Sequence, residues 1–319
     1  MLMVGCFSHV ATSTSSCSLP MRAGVLDGLR KMEGSKVMLD KRSFTRRFRF
    51  DKRKSLYVGV ERECFLCDES GKIVPVAPQV LSCLEKFIPS PSCFVGSDSW
   101  ESPKDFGYEL SACQLESRVG PCRLHRLAQE LRSNDKEVQV IERKPTHQAL
   151  GKTWPWFSRL FIEVGPEDIP LDVYPDPSGR YKRITKKMPR EILLAACRVI
   201  GTHVHIGMPD HETALRVYNE VIRDTDMLCE KGDGSNGKRL EIYKVMAKNW
   251  NPPFYVDWDS FYQAAVRGGF TEDPRRCWTL IRISVHGTIE FRMFGATASI
   301  EKVVSWATLC HSLCKKAMG

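Results

Sequence analysis

Apolar and polar residues alternate from Leu56 to Asp68 in a run rich in β-forming side chains. The pattern predicts a strand, ended by the turn Glu69-Ser70-Gly71-Lys72. Ala77 to Phe87 predicts a helix stopped by Pro89 and Pro91, and Trp100 to Glu116 predicts one or two strands. Leu124, Leu127, Ala128 and Leu131 recur at helical spacing, so Leu124 to Asn134 predicts a helix. Gly165 to Arg183 reads as a Pro-rich loop. A helix over Pro189 to Val199, with Pro near its start, leads into a strand over Val199 to Met208. His211 to Glu230 predicts one long helix, residues 232–237 a flexible loop, and Ser260 to Val266 a short helix. Two strands flank the turn His286-Gly287 within Thr279 to Phe294, and a helix covers Ile300 to Ala317. Strands and helices alternate without a strict βαβ rhythm, which predicts an α+β fold with a mainly antiparallel sheet.

Charge divides the chain. Residues 1–54 carry 12 Lys/Arg and 4 Asp/Glu, whereas the remainder carries 35 and 34, so nearly all of the net +9 lies in the first segment. The expectation is a basic, solvated extension over 1–54 and a catalytic domain over 55–319. The Ser-rich, acid-poor start also fits an organellar transit peptide, and translation from Met21, Met32 or Met38 would shorten it. The balanced body gives no reason to expect a nucleic-acid partner. No run reaches the roughly 20 apolar residues of a membrane span. Thirteen scattered cysteines suit a reducing compartment, and a cytoplasmic protein is expected. Cys64-Phe-Leu-Cys67 is the one CxxC; in a strand its thiols face opposite ways, and no second pair completes a zinc site.

Four polar islands interrupt strands that otherwise read as buried, where an unpaired charge is costly. Glu61 and Glu63 share a strand face, as a cation-binding pair or as a solvated acidic edge. Gln114 and Glu116 share another face. Glu109 has the wrong parity to join Glu116 in one regular strand, so a bulge or bend near Ser111–Cys113 would be required. His203 and His205 share a face between Gly201 and Gly207, either contacting metal or phosphate or satisfied in the core. Glu290 and Arg292 share a face, as an ion pair or as a metal carboxylate beside a phosphate-binding guanidinium. Together these hard oxygen donors suit Mg²⁺ or Mn²⁺ better than structural zinc.

The ordered set Gly-Val-Glu61-x-Glu63, Glu109-(x4)-Gln114-x-Glu116, Gly-Thr-His203-Val-His205 and Gly-Thr-Ile-Glu290-Phe-Arg292 resembles the type 2 glutamate–cysteine ligases and related carboxylate–amine ligases over about residues 55–300. The resemblance implies a glutamine synthetase-like half-barrel sheet flanked by helices, with ATP and Mg²⁺ as cofactors and a small carboxylate and an amine as substrates. It implies that Glu61, His203 and Glu290 hold one metal ion and that Glu63, Glu109 and Glu116 hold a second. His205 and Arg292 would contact the transferring phosphoryl group. Arg180, Arg183 and Lys238 would grip phosphate or carboxylate, with Arg239 and Asn249 to Asp257 as clamps or lids. The implied reaction activates a carboxylate as an acyl phosphate, which an amine then captures. Many relatives carry a longer helical region after the position of Arg292, so the pocket would be pared down or completed by another subunit of a homo-oligomer. Readings that remain beside this one are an amidoligase acting on peptides, a guanidino phosphotransferase, a non-catalytic scaffold, and a nucleic-acid-binding protein working through residues 41–54.

Overall fold

The computed structural model describes residues 40–87, 104–142 and 156–319. The expectations for residues 1–39, for Pro89 and Pro91, and for the start of the strand at Trp100 lie outside the described residues. In chain order the strands are β1 (Val58–Cys67), β2 (Lys104–Tyr108), β3 (Gln114–Cys122), β4 (Ser158–Leu160), β5 (Gly201–Gly207), β6 (Ile281–Ser284) and β7 (Thr288–Gly295). The helices are α1 (Lys41–Thr45), α2 (Ala77–Phe87), α3 (Leu127–Gln139), α4 (Arg180–Thr185), α5 (Arg190–Arg198), α6 (His211–Val221), α7 (Thr225–Gly232), α8 (Lys238–Met246), α9 (Trp258–Gly268) and α10 (Ile300–Met318).

The strands form one open antiparallel sheet in the order β2-β3-β1-β5-β7-β6. β4 pairs with the second half of β1 on the edge whose first half pairs β5. An α+β architecture with an antiparallel sheet is what the hydrophobic pattern calls for. Residues opposite one another in an antiparallel pair point to the same face. Val60, Val204, Phe291 and Ile281 are therefore aligned on one face, and α1, α3, α6, α9 and α10 contribute to the core that covers it. The other face carries the polar islands.

Sequence periodicity could not see several features. The span His211 to Glu230 is two helices separated by a 3₁₀ turn at Ile222–Asp224, where the Thr225 hydroxyl donates to the Ile222 carbonyl at 2.7 Å. Residues 233–237 form a tight turn rather than a loose one, because the Asp233 carboxylate accepts from the backbone N–H groups of Ser235 and Gly237. α8 follows with almost no amphipathic pattern, and α4 lies inside the Pro-rich stretch.

The packed body also reaches back beyond Ser55. Asp40 caps α1, Phe44 and Phe48 are buried, and both rings pack against Phe261 of α9. The Arg49 N–H donates to the Val285 carbonyl, and the Leu56 N–H to that of Gly207. The solvated tail expected over 1–54 is thus corrected for 40–54: the Phe-x-x-x-Phe spacing puts two large apolar side chains on one side of a short helix and its exit, and their burial offsets the cost of ordering the arginines between them. Phe44→Ala should lower unfolding free energy by about 3–5 kcal/mol, read by denaturant titration; a loss under ~1 kcal/mol would show that the segment is dispensable.

Candidate functional site

The polar islands come together because the register aligns them. Glu61 lies opposite His203 and Arg118, Glu63 opposite Glu116, His205 opposite Glu290, and Glu290 opposite Arg282. All therefore share one face of four central strands and β6. They line a cleft of about 1690 Å³. That exceeds the roughly 300–1,000 Å³ typical of a single small-molecule pocket, so two or three reactants fit.

The parity problem at Glu109 is solved by a bend at Ser111–Cys113 that closes a hairpin, the second of the two expected alternatives. β2 runs back along β3 with Gly107 opposite Glu116, so Glu109, two residues on from Gly107, returns to the same face. Gly107 lies close under these side chains: a Cβ there would meet the ends of the Glu116 carboxylate and the Arg118 guanidinium, which would have to shift.

Within the cleft the acids form two groups. Glu61, His205 and Glu290 offer ligand atoms that all lie within 4.8 Å of one another. The imidazole in that triad is His205, where the resemblance implied His203. His203 instead bridges the two groups: its Nδ1 is 2.9 Å from Glu61 Oε2, and its Nε2 is 3.7 Å from Glu63 Oε1. His205 Nδ1 lies 3.0 Å from the Thr288 hydroxyl, which turns Nε2 towards Glu61 at 3.4 Å. Glu290 is fully buried between two guanidiniums, accepting from Arg282 Nε at 2.6 Å and from Arg292 Nη1 at 2.5 Å. The second group is Glu63, Glu109 and Glu116, with the Gly201 N–H donating to Glu63 Oε2 at 2.6 Å.

The two groups differ in charge state. Burial would raise the Glu61 carboxyl, but His205 and His203 hold it well below its ordinary value. Burial would likewise raise Glu290, yet Arg282, His205 and Arg292 keep it low. In the second group burial and mutual repulsion act together. Glu63 is pushed up to about 7 by burial and by Glu116. Glu109 is pushed up to about 8 by burial and by Glu63 and Glu61. Glu116 is raised well above the usual range by burial and by Glu61. Three carboxyl groups cannot all ionise side by side, and the ligand atoms that converge within 4.8 Å are those of Glu61, His205 and Glu290 rather than of this group.

This gives a pH dependence with a definite sign. A carboxyl raised in the fold above its unfolded value lends stability at low pH and loses it as pH rises through the folded value. For Glu63 and Glu109 the window runs from about 4.5 to about 8. Glu63→Gln/Glu109→Gln should therefore flatten the fall in melting temperature of the metal-free protein across that window. A fall equally steep in the variant would refute the assignment.

The remaining expected residues are not all gathered in. Arg180 and Arg183 line the cleft, Arg180 held by Asp273 at 3.0 Å and Arg183 by the Ser178 carbonyl at 2.6 Å. Lys238 is exposed at the start of α8 and does not line the cleft, which corrects its expected role. Its neighbour Arg239 is buried and donates to the carbonyls of Ile200, Met293 and Arg292, so it braces β5 and β7 rather than clamping a ligand. Asn249 to Asp257 also lies outside the cleft lining, with Tyr255 stacked on Tyr218 in the core.

Sequence reasoning missed Arg282, Arg118 and Tyr181. Arg282 sits between Ile281 and Ile283 and carries the same signal as Glu290, a charge inside an apolar strand. Arg118, between Ser117 and Val119, pairs Asp105 at 2.6 Å and approaches Glu116 at 3.5 Å. Tyr181 belongs to α4, and its ring packs edge-on to Tyr108 across the Glu109–Glu116 end of the cleft. Nothing local in the sequence marks it.

No protein-family model matches the chain. It is 28% identical over 279 residues to a curated protein of Gloeobacter violaceus named "Putative glutamate--cysteine ligase 2", covering 80% of this chain and 67% of that protein. A similarly named protein of Rhodococcus jostii is 28% identical over 226 residues, 67% of this chain and 53% of that one. One of Rhodopirellula baltica is 21% identical over 280 residues, 82% of this chain and 69% of that one. The chain thus spans between half and about two thirds of the length of these relatives. Over most of its own length it is similar to proteins named "Putative glutamate--cysteine ligase 2".

Proposed function

We propose that this chain is an ATP-dependent carboxylate–amine ligase with a glutamine synthetase-like catalytic sheet, forming an amide from a small carboxylate and an amine. The observation that carries the reading is a single strand face on which ligand atoms of Glu61, His205 and Glu290 converge within 4.8 Å, beside a second group of acids, Glu63, Glu109 and Glu116, in the same cleft. The similarity to proteins named as glutamate–cysteine ligases supports it.

In this reading Glu61 and Glu290 hold one divalent cation together with an imidazole, His205 being the nearer by convergence of ligand atoms. Glu63, Glu109 and Glu116 hold a second. Bound there, Mg²⁺ or Mn²⁺ would shield the nucleotide phosphates and stabilise charge on the transferring oxygens. Arg292 and Arg282 keep Glu290 ionised and add fixed positive charge beside the phosphoryl position. Arg180 and Tyr181, on α4, close the opposite side of the cleft, where exclusion of water would protect an activated carboxylate. Glu63 and Glu109 must lose protons as the second cation binds, so affinity for Mg²⁺ rises with pH through about 7 to 8.

The test is amide formation and ADP release with Mg²⁺, ATP, a panel of amino-acid carboxylates and a panel of amines. Amide stoichiometric with ADP supports the reading. A phosphorylated guanidine as the product would replace it with phosphotransfer, and no Mg²⁺-dependent nucleotide binding would refute it.

A further inference from the structure

Residues 46–54 were set apart by the sequence as surplus positive charge, yet Arg46, Arg47, Arg49, Arg53 and Lys54 all line the same cleft as the carboxylates. Their backbone positions are fixed. Phe44 and Phe48 anchor the segment in the core, and the chain is pressed so closely against β5 and β7 that a Cβ on Gly207 or Gly287 would collide with the carbonyls of Lys54 and Arg49. Arg47 reaches across to donate to the Glu272 carbonyl, which ties the segment to the turn before β6. That turn adds Arg275 and Arg276 to the lining. The acids facing these seven cations are Asp51, Glu272 and Asp273. Asp51 is taken up by Arg53, and Asp273 by Arg275 and Arg180. Among the described residues, Arg46 and Arg276 are exposed and make no ion pair.

The basic residues of 46–54 lie at the Gly207 end of β5. Gly207 lies two residues from His205, and Thr288 holds His205, so the cationic wall adjoins the Glu61–His205–Glu290 triad. The Glu63–Glu109–Glu116 group lies further along the strands with Tyr181, and its cations are engaged, Arg118 by Asp105 and Glu116 and Arg180 by Asp273.

We infer that residues 46–54, with Arg276, form the wall that receives the polyphosphate of the nucleotide, so that the basic segment is part of the ligand site and not an appendage. This rests on the ligase reading. Charge decides between the reactants. A nucleoside triphosphate brings several negative charges and a carboxylate substrate one or two, so the polyphosphate gains most from a wall of net positive charge. Position decides against a nucleic acid. The arginines border a cavity floored by carboxylates rather than a convex face, and a duplex or long strand would have to meet Glu61 as well as Arg46.

The experiment uses the full chain with the two exposed arginines that make no ion pair reversed, Arg46→Glu/Arg276→Glu. Calorimetry with a non-hydrolysable ATP analogue and Mg²⁺ should show nucleotide affinity lowered roughly tenfold, with a shallower salt dependence. The KM for the carboxylate should stay within about twofold, as expected for a residue acting on the other reactant. Circular dichroism and melting temperature check that the variant is folded, and Arg46→Lys/Arg276→Lys should restore most of the affinity. Wild-type affinity in the reversed variant overturns this inference and leaves the ligase reading standing. So does a variant that loses binding to a single-stranded RNA probe while keeping nucleotide affinity. A wild-type protein that binds no nucleotide overturns both.

Discussion

Glu61→Gln should lower ATP-dependent amide formation by roughly 10²–10³-fold or more while leaving the protein folded. Glu61 touches both imidazoles and belongs to the triad whose ligand atoms converge. The amide keeps the volume and can accept from one imidazole, but it lacks the charge a cation and the raised His205 both need. His205 is held up by Glu61 and Glu290 against the burial that would lower it, so the loss should also bring its titration down, which proton NMR of the imidazole would follow. Turnover within a few-fold of wild type, at saturating Mg²⁺ and ATP, would remove Glu61 from the machinery. The conservative change matters, because truncation to alanine would open the sheet face to water.

Glu290→Ala is expected to act first on the fold. Its carboxylate is completely buried and neutralises Arg282 and Arg292 together. Removing it strands two guanidiniums in the interior, and breaking a buried pair in this way typically costs about 3–5 kcal/mol. A small domain has only about 5–15 kcal/mol in hand, so the variant should melt far below the wild type. Glu290→Ala/Arg282→Met, which removes one of the stranded charges, should recover part of the loss without recovering activity. A single variant as stable as wild type would mean that Arg282 and Arg292 find other partners and that the buried ion cluster does not hold β6 to β7. Activity lost only in proportion to unfolding would assign Glu290 to structure alone.

How much of this was legible beforehand can be argued residue by residue. The central strands were readable because β-formers alternate with charge, and a period of two assigns faces without any knowledge of neighbours. The same period exposed Glu61 with Glu63, His203 with His205 and Glu290 with Arg292 as pairs on common faces. At Glu109 it excluded one regular strand and called for a bulge or bend, but the hairpin pairing Gly107 with Glu116 is a tertiary fact. It failed for Lys238, whose charge looked useful in sequence but whose helix directs the following Arg239, not Lys238, inward. Arg282 was overlooked although its apolar neighbours gave the same cue as those of Glu290.

Composition misled in one respect. The excess of Lys and Arg in residues 1–54 reads as solvated charge, and the two phenylalanines that anchor part of it are too few to stand out from composition. Their effect depends on meeting Phe261 and Trp258, more than 200 residues later.

The sequence by itself determined that the protein is α+β and that its strands carry acids and imidazoles on selected faces, because side-chain direction in a strand follows from the backbone alone. The tertiary structure decided which of those faces coincide. Antiparallel register set His205 opposite Glu290 and Glu63 opposite Glu116; burial raised Glu63 and Glu109, while the imidazoles and guanidiniums beside Glu61 and Glu290 held those two low. It also brought the arginines of residues 46–54 to the rim of the same cleft. Register, burial and long-range packing are properties of contacts between distant segments, and no local pattern encodes them.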